Sequence, residues 1–155
     1  MNLLKKIRLI ILFFIIALIL SGVTAFPVET ELHWLLQYKT SFPEALGNWL
    51  QSCYDAINDT NGKYPMLAYG YDWLAFAHIV IALAFIGPFR EPVKNKWVID
   101  WAILACTAVI PLAFIAGPVR HIPFFHIIID CSFGVLGLIP LIICKRWINQ
   151  LENKK

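Results

Sequence analysis

The chain has 155 residues, of which 59% are hydrophobic and 15% charged, and its mean hydropathy is +0.69. A soluble domain is nearer half apolar and a quarter charged, so this composition excludes an ordinary soluble protein and indicates a small membrane protein. The net charge of +3 is concentrated beside apolar stretches, which favours anionic lipid headgroups over nucleic acid as the partner of the basic residues.

Most of the apolar residues fall into four blocks, each close to the roughly 20 residues that a helix needs to cross about 30 Å of hydrocarbon. The blocks are residues 9–26, 71–89, 97–118 and 122–144. The pattern predicts an all-α fold, an integral membrane four-helix bundle that forms one domain over residues 1–155. Residues 27–70 form an outer amphipathic segment.

The basic residues are distributed unevenly between the connections. Ten of the thirteen lie before the first block, between the second and third, or after the fourth; they are Lys5, Lys6, Arg8, Arg90, Lys94, Lys96, Lys145, Arg146, Lys154 and Lys155. The positive-inside rule then places both termini in the cytoplasm of a bacterial inner membrane and residues 27–70 outside. Arg90, Arg120 and His121 are candidate residues at the membrane interfaces.

The first block has two interpretations. Its basic start, apolar stretch and Val23-Thr24-Ala25 resemble a secretory signal with cleavage after Ala25. The apolar stretch is long for a signal, so we favour a retained first membrane helix.

The outer segment contains two patterns typical of short helices. Thr30 is positioned to cap a first helix, and Ser41 followed by Glu44 fits a capping box for a second. The turn-forming residues 58–62 predict the end of the second helix. Cys53 is the one cysteine of four in this segment; Cys106, Cys131 and Cys144 fall inside the predicted spans, and no disulfide framework is expected.

The candidate functional residues lie within the spans. His126 and Asp130 are four residues apart in the fourth block and share one helical face. In the second block, His78 falls between them in depth. Because ionisable groups in hydrocarbon usually face a bundle interior, we expect the three to form a buried polar cluster in the outer half of the bundle.

This cluster has four possible roles. Two histidines and a carboxylate can ligate zinc or another metal, two histidines on different helices can ligate a haem iron, and a histidine with an aspartate can relay protons. The fourth role is a hydrogen bond that holds helices together. The spacing HxxxD is not specific enough to choose among them.

Three further features concern helix packing. Asp100 is expected to be solvated or paired with Lys96, and Gly134 and Gly137 permit close helix approach. The segments 87–88 and 117–118 are both Gly-Pro followed closely by arginine, and each is expected to stop an apolar helix.

Two classes of function follow from these observations. The first is a membrane accessory or binding subunit, with a membrane protein partner or a second copy, whose polar cluster fixes helix packing. The alternative is an intramembrane metal- or haem-dependent enzyme that uses His78, His126 and Asp130. Transport is disfavoured, because four helices rarely enclose a pathway without oligomerising.

Overall fold

The computed structural model describes residues 2–154, and this part of the chain is all-α, as predicted. The helices are α1 (Leu3–Ala25), α2 (Val28–Leu36), α3 (Glu44–Lys63), α4 (Ala68–Ala84), α5 (Ile86–Arg90), α6 (Lys96–Val119) and α7 (Phe124–Glu152). Short 3-10 turns at Lys39–Ser41 and Pro65–Leu67 lie on either side of α3. Residues 1 and 155, including the predicted cytoplasmic Lys155, lie outside the described residues.

Four helical stretches are long and apolar enough to cross a membrane. They are Leu3–Ala25, Pro65–Arg90, Lys96–Val119 and Phe124–Glu152, with 23, 26, 24 and 29 residues. Each contains or overlaps one predicted block, so the four candidate spans are confirmed by length and composition. The fourth helix continues eight positions beyond Cys144, where the apolar block was predicted to end. The apolar block marks only the part that can lie in hydrocarbon, and a helix can continue beyond it as a polar helix.

The chain divides into two compact units, and each is described by itself. Unit 1 contains the chain up to Ile15 and the chain from Leu83 onward. Its core is built from α1, α6 and α7 around side chains that are completely excluded from the surface. These are Ile7, Ile11, Ile99, Cys144 and Ile148. Burial of several β-branched side chains fixes the mutual rotation of the three helices in this unit.

Glycines set the close approach of α6 to α7. A Cβ atom at Gly134 would lie 2.7 Å from the carbonyl oxygen of Cys106, and one at Gly137 would lie 2.9 Å from the Cys106 sulfur. At Gly117, a Cβ would lie 2.5 Å from Ile127 Cδ1. The prediction that Gly134 and Gly137 permit close helix approach is therefore confirmed.

The two Gly-Pro segments, each expected to stop a helix, differ in where they lie relative to the helix end. Helix α4 ends at Ala84, and Pro88 lies inside the next helix, α5. A proline ring clashes with the carbonyl four residues earlier, which places the break at Ala84, before the Gly-Pro pair. Helix α6 continues through Gly117 and Pro118 to Val119. The prediction is confirmed for α6, which ends one residue beyond Pro118, and was wrong for α4, which ends before its Gly-Pro pair.

Unit 2 spans Ile16–Ala82 and contains the end of α1, the α2–α3 pair and α4. Helix α1 approaches α4 at Gly22, where a Cβ would lie 2.7 Å from the carbonyl oxygen of Ala75. Ala75 is completely buried at this crossing. The absence of a side chain at Gly22 therefore sets the spacing of the two helices in the unit.

The predicted caps of the outer helices are wrong. Pro27 precedes α2 and Pro43 precedes α3 as the N-cap residues, and neither helix has a side-chain cap. Helix α3 also continues through residues 58–62 to Lys63, so the predicted end of this helix is wrong. Asn61 Nδ2 donates a hydrogen bond to Glu29 Oε2 at 2.6 Å, which ties the end of α3 to α2.

Candidate functional site

The His126–Asp130 pair lies on α7, as the four-residue spacing predicted. His126 Nε2 is 3.8 Å from Asp130 Oδ1, and the two side chains are 38% and 44% exposed. The next residues in the chain, Ile127 and Cys131, are both buried. One position along an α-helix is a rotation of about 100° around its axis. The pair therefore lies beside the buried stripe of α7, at its margin.

His78 is half-buried on α4 and bonds to its own helix. Its Nδ1 lies 2.9 Å from the carbonyl oxygen of Leu74. Since a carbonyl can only accept, Nδ1 is the donor in this contact. The proximity of His78 to the His126–Asp130 pair remains a prediction, because His78 belongs to unit 2 and the pair to unit 1.

The prediction of a buried His/Asp cluster is wrong. No polar or charged side chain is buried within residues 2–154. Across the same residues, no group of three or more His, Cys, Asp or Glu side chains is arranged to hold a metal ion. The physical reason is rotational: the buried stripe of α7 runs through Ile127 and Cys131, and His126 and Asp130 lie beside it on a face that is partly open.

Two ion pairs join α6 to α7 at the basic end of unit 1. Lys145 Nζ lies 2.8 Å from Asp100 Oδ1, and Lys96 Nζ lies 2.7 Å from Glu152 Oε2. Asp100 is therefore paired, but with Lys145 and not with Lys96 as expected. The Oδ1 atom of Asp100 is itself buried, and its contact with Lys145 Nζ is an ion pair without hydrogen-bond geometry. Lys96, four residues before Asp100 on α6, pairs with Glu152 of α7 and not with Asp100.

Arg8 closes the same end of unit 1. Its Nε donates to the carbonyl oxygen of Phe89 at 3.0 Å, and its Nη2 donates to the carbonyl oxygen of Arg90 at 3.3 Å. The guanidinium carbon also lies 5.8 Å from the centre of the Phe89 ring. A cation at these carbonyls offsets the negative end of α5. Arg90, a predicted interfacial residue, thus contributes its backbone to this contact.

The turn between α6 and α7 contains the other two interfacial candidates, Arg120 and His121. His121 has a φ of 56°, the one positive φ among the described non-glycine residues. Its N–H donates to the carbonyl of Pro118 at 3.2 Å, and the N–H of Ile122 donates to the carbonyl of Gly117 at 2.9 Å. These two bonds form a Schellman motif, in which glycine usually occupies the left-handed position. An interfacial role for the two side chains remains a prediction.

An open aromatic groove lies in unit 2, between the end of α1 and the first turns of α4. Its volume is about 260 Å³, and it is lined by Phe26, Tyr69, Asp72, Trp73 and Phe76. The four α4 residues are spaced i, i+3, i+4 and i+7, so they form one stripe. Trp73 makes edge-to-face contacts with Tyr69 at 5.9 Å and Phe76 at 6.2 Å. The groove is thus an ordered aromatic surface with one carboxylate.

Sequence reasoning missed both the groove and the Asp100–Lys145 pair. The stripe on α4 was readable from its spacing, but Tyr69 and Trp73 lie at the start of the second span, where aromatic residues are also typical of a membrane interface. The contribution of Phe26 had no local signal, because this residue lies in the turn between α1 and α2, far from α4 in the sequence. The partner of Asp100 likewise depends on which side of α6 faces α7.

Cys53 is the cysteine of the outer segment and is partly buried on α3. Burial raises the pKa of its thiol above the ordinary value, because the thiolate is less well solvated there. Its sulfur is a free thiol, as are those of Cys106, Cys131 and Cys144. We therefore expect Cys53 to react more slowly than a fully exposed cysteine at neutral pH.

Comparison of the chain with models of protein families, with curated proteins and with solved structures finds no match.

Proposed function

We propose that the protein is an accessory or binding subunit of a bacterial inner membrane, with both termini in the cytoplasm. In this proposal the α2–α3 pair lies outside and binds a partner membrane protein. The four candidate spans identify the class of protein, and two further observations support the orientation and the binding role.

The orientation is supported by the basic end of unit 1. Arg8 of α1 reaches the backbone at Phe89 and Arg90, while Lys96 and Lys145 join α6 to α7. Basic residues from before the first apolar block, from between the second and third, and from after the fourth are therefore found at one end of this unit. Positively charged ends of short-looped membrane proteins remain in the cytoplasm.

The binding role is carried by one observation, two exposed aromatic residues at the end of α2 and just beyond it. Trp34 is 69% exposed and Tyr38 is 63% exposed, although both lie outside the candidate spans. The opposite side of α2 is tied to α3 by the Glu29–Asn61 hydrogen bond and by the His33–Tyr54 ring contact at 5.8 Å. Exposed aromatic residues on an ordered surface are typical of protein interfaces.

Orientation is tested by cysteine labelling in intact cells with a membrane-impermeant maleimide. The cysteine of Gly62→Cys should be labelled from outside, because a side chain there meets open space. A cysteine at Lys94, in the α5–α6 connection, should not be labelled until the cells are opened. Asn95 is unsuitable for this purpose, because its side chain donates to the carbonyls of Gly87 and Glu91. Labelling at Lys94 from outside would reverse the proposed orientation.

The partner is tested by placing a photo-crosslinking amino acid at Trp34, with Ala56 on α3 as the matched exposed control. We expect a discrete protein adduct at Trp34 that the Ala56 variant does not give. An adduct with lipid alone at Trp34 would mean that this face lies on the membrane surface, and the accessory-subunit proposal would be withdrawn.

A further inference from the structure

The aromatic groove of unit 2 contains one carboxylate among four rings. Asp72 lies between Tyr69 and Trp73 along α4, and Phe26 faces them from the end of α1. Among the described residues, Asp72 forms no hydrogen bond or ion pair, so its charge is free to act on a ligand. The lining of the groove therefore brings one carboxylate residue together with four aromatic residues, and a negative charge and aromatic rings both attract a cation.

We propose that this groove binds a trimethylammonium group. A positive charge gains from the carboxylate of Asp72 and from the ring faces of Trp73 and its neighbours at the same time. Clusters of aromatic rings that recognise quaternary ammonium groups work by this combination. The proposal is independent of the partner and orientation proposed above, because it concerns only residues within unit 2.

Other cations fit the groove less well. A calcium ion takes about six to eight oxygen ligands, and the lining offers one carboxylate and the phenol of Tyr69. Primary ammonium groups carry three strongly hydrated N–H donors, and a lining made mostly of ring carbons replaces their hydrogen bonds to water only in part. A trimethylammonium group has no N–H donor to leave unsatisfied, so an aromatic lining suits it.

The size and spacing of the groove agree with a small ligand group. Its volume of about 260 Å³ is below the roughly 300–1,000 Å³ of pockets that enclose drug-sized ligands. The close contact of Gly22 with Ala75 holds α1 against α4 near the groove. The trimethylammonium group has two possible sources: the headgroup of a choline lipid, or a free small molecule such as choline.

Binding is tested on the full-length protein in a maltoside detergent that contains no ammonium group. Isothermal titration with tetramethylammonium and choline tests the free source, and ethanolamine is the matched probe that carries N–H donors. Native mass spectrometry with phosphatidylcholine and phosphatidylethanolamine tests the lipid source. We expect the trimethylammonium compound to bind at least about tenfold more tightly than its primary-amine counterpart, or about 1.4 kcal/mol, in at least one of the two arms.

Variants show whether the groove is the site. Asp72→Asn should weaken binding at least about tenfold, while Asp72→Glu, which keeps the charge, should retain most of it. Trp73→Leu should weaken binding to a similar extent. The controls are Asp55→Asn on α3 and Trp97→Leu on α6, which change the same residue types elsewhere. Circular dichroism and gel filtration identify variants that fail to fold.

The result also separates the sources. Binding of choline in the titration identifies a small-molecule site, while selective retention of phosphatidylcholine without choline binding identifies a lipid site. The proposal is overturned if no trimethylammonium compound binds in either arm, if the primary amine binds as tightly as its trimethylammonium counterpart in both arms, or if binding is the same in well-folded Asp72→Asn protein.

Discussion

At the scale of single residues, the turn between α6 and α7 contains an unfavourable conformation. His121 occupies the left-handed region with a φ of 56°, where its Cβ is crowded by the backbone. The surrounding Schellman bonds from His121 to Pro118 and from Ile122 to Gly117 hold it there. A glycine would adopt this conformation without the steric cost, so the histidine side chain lowers the stability of the turn.

His121→Gly should therefore stabilise the protein, by about 0.5–1 kcal/mol after allowance for the greater flexibility of unfolded glycine. Reversible unfolding in mixed micelles with increasing SDS measures this difference. His121→Ala is the control, because it removes the imidazole and retains the Cβ; it should give no stabilisation. Equal gains in the two variants would assign the effect to the imidazole and not to the backbone.

The Asp100–Lys145 ion pair is a second feature at the residue scale. Its side chains are 44% and 42% exposed, so solvent screens much of the attraction. Against this, the pair joins two helices and one Asp100 oxygen is buried, which raises its contribution above that of a freely exposed pair. We expect a coupling free energy of about 0.5–1 kcal/mol from a double-mutant cycle with Asp100→Asn and Lys145→Gln.

The Glu91–Lys94 pair provides the reference for that cycle. It lies in one connection, with side chains that are 57% and 75% exposed, and its nitrogen–oxygen distance is also 2.8 Å. The corresponding cycle with Glu91→Gln and Lys94→Gln should give a coupling near zero. If the two cycles give equal values, the α6–α7 pair contributes nothing beyond an ordinary surface contact.

At the scale of helices, the packing of α6 on α7 depends on missing side chains. Gly134 lies against the carbonyl oxygen of Cys106, and Gly117 lies against Ile127. In a membrane the helices gain little from leaving lipid, so close van der Waals contact between backbones drives their association. Such contact is lost when a side chain separates the two backbones.

Gly134→Ala should consequently destabilise the protein by about 1–3 kcal/mol, because the new Cβ would lie 2.7 Å from a backbone oxygen that cannot move alone. Unfolding by SDS is the measurement. Gly70→Ala in α4 is the matched control: its Cβ would meet nothing within 4 Å, and alanine is the better helix former. That variant should gain up to about 1 kcal/mol.

A loss of stability in Gly70→Ala as large as that in Gly134→Ala would show that glycine matters here for helix flexibility. The close contact of α6 with α7 would then not explain the result.

At the scale of the whole molecule, the first helix serves as part of a core. Ile7 and Ile11 are completely buried in unit 1, and Arg8 binds the backbone at Phe89 and Arg90. Removal of this segment would expose the surfaces that these side chains cover. These contacts favour the retained span over the signal-peptide alternative.

We therefore predict that the mature protein retains its first 25 residues. Intact-mass spectrometry of protein purified from its native membrane should give a chain that begins at or next to Met1. Ile11→Asp should prevent stable accumulation, because it would bury a charge in the core of unit 1. A mature chain that begins at Phe26 would establish cleavage and contradict the prediction.

The sequence by itself determined the all-α class, the number of candidate spans and the uneven distribution of basic residues. These properties follow from bilayer thickness and from the need to satisfy every backbone polar group within the helix, and both act on composition and length. Helix ends were less predictable, although the clash of Pro88 with the carbonyl of Ala84 could have been read from the spacing.

Only the tertiary structure decided which faces of the helices are buried. Lipid is as apolar as a protein interior, so a spanning helix is hydrophobic all round and its sequence does not show which side meets a neighbour. Hence the sequence placed His126 and Asp130 inside a cluster, whereas the buried stripe of α7 runs through Ile127 and Cys131. For the same reason, the pairing of Asp100 with Lys145 depended on the rotation of α6 against α7, which is set by side-chain packing between the helices.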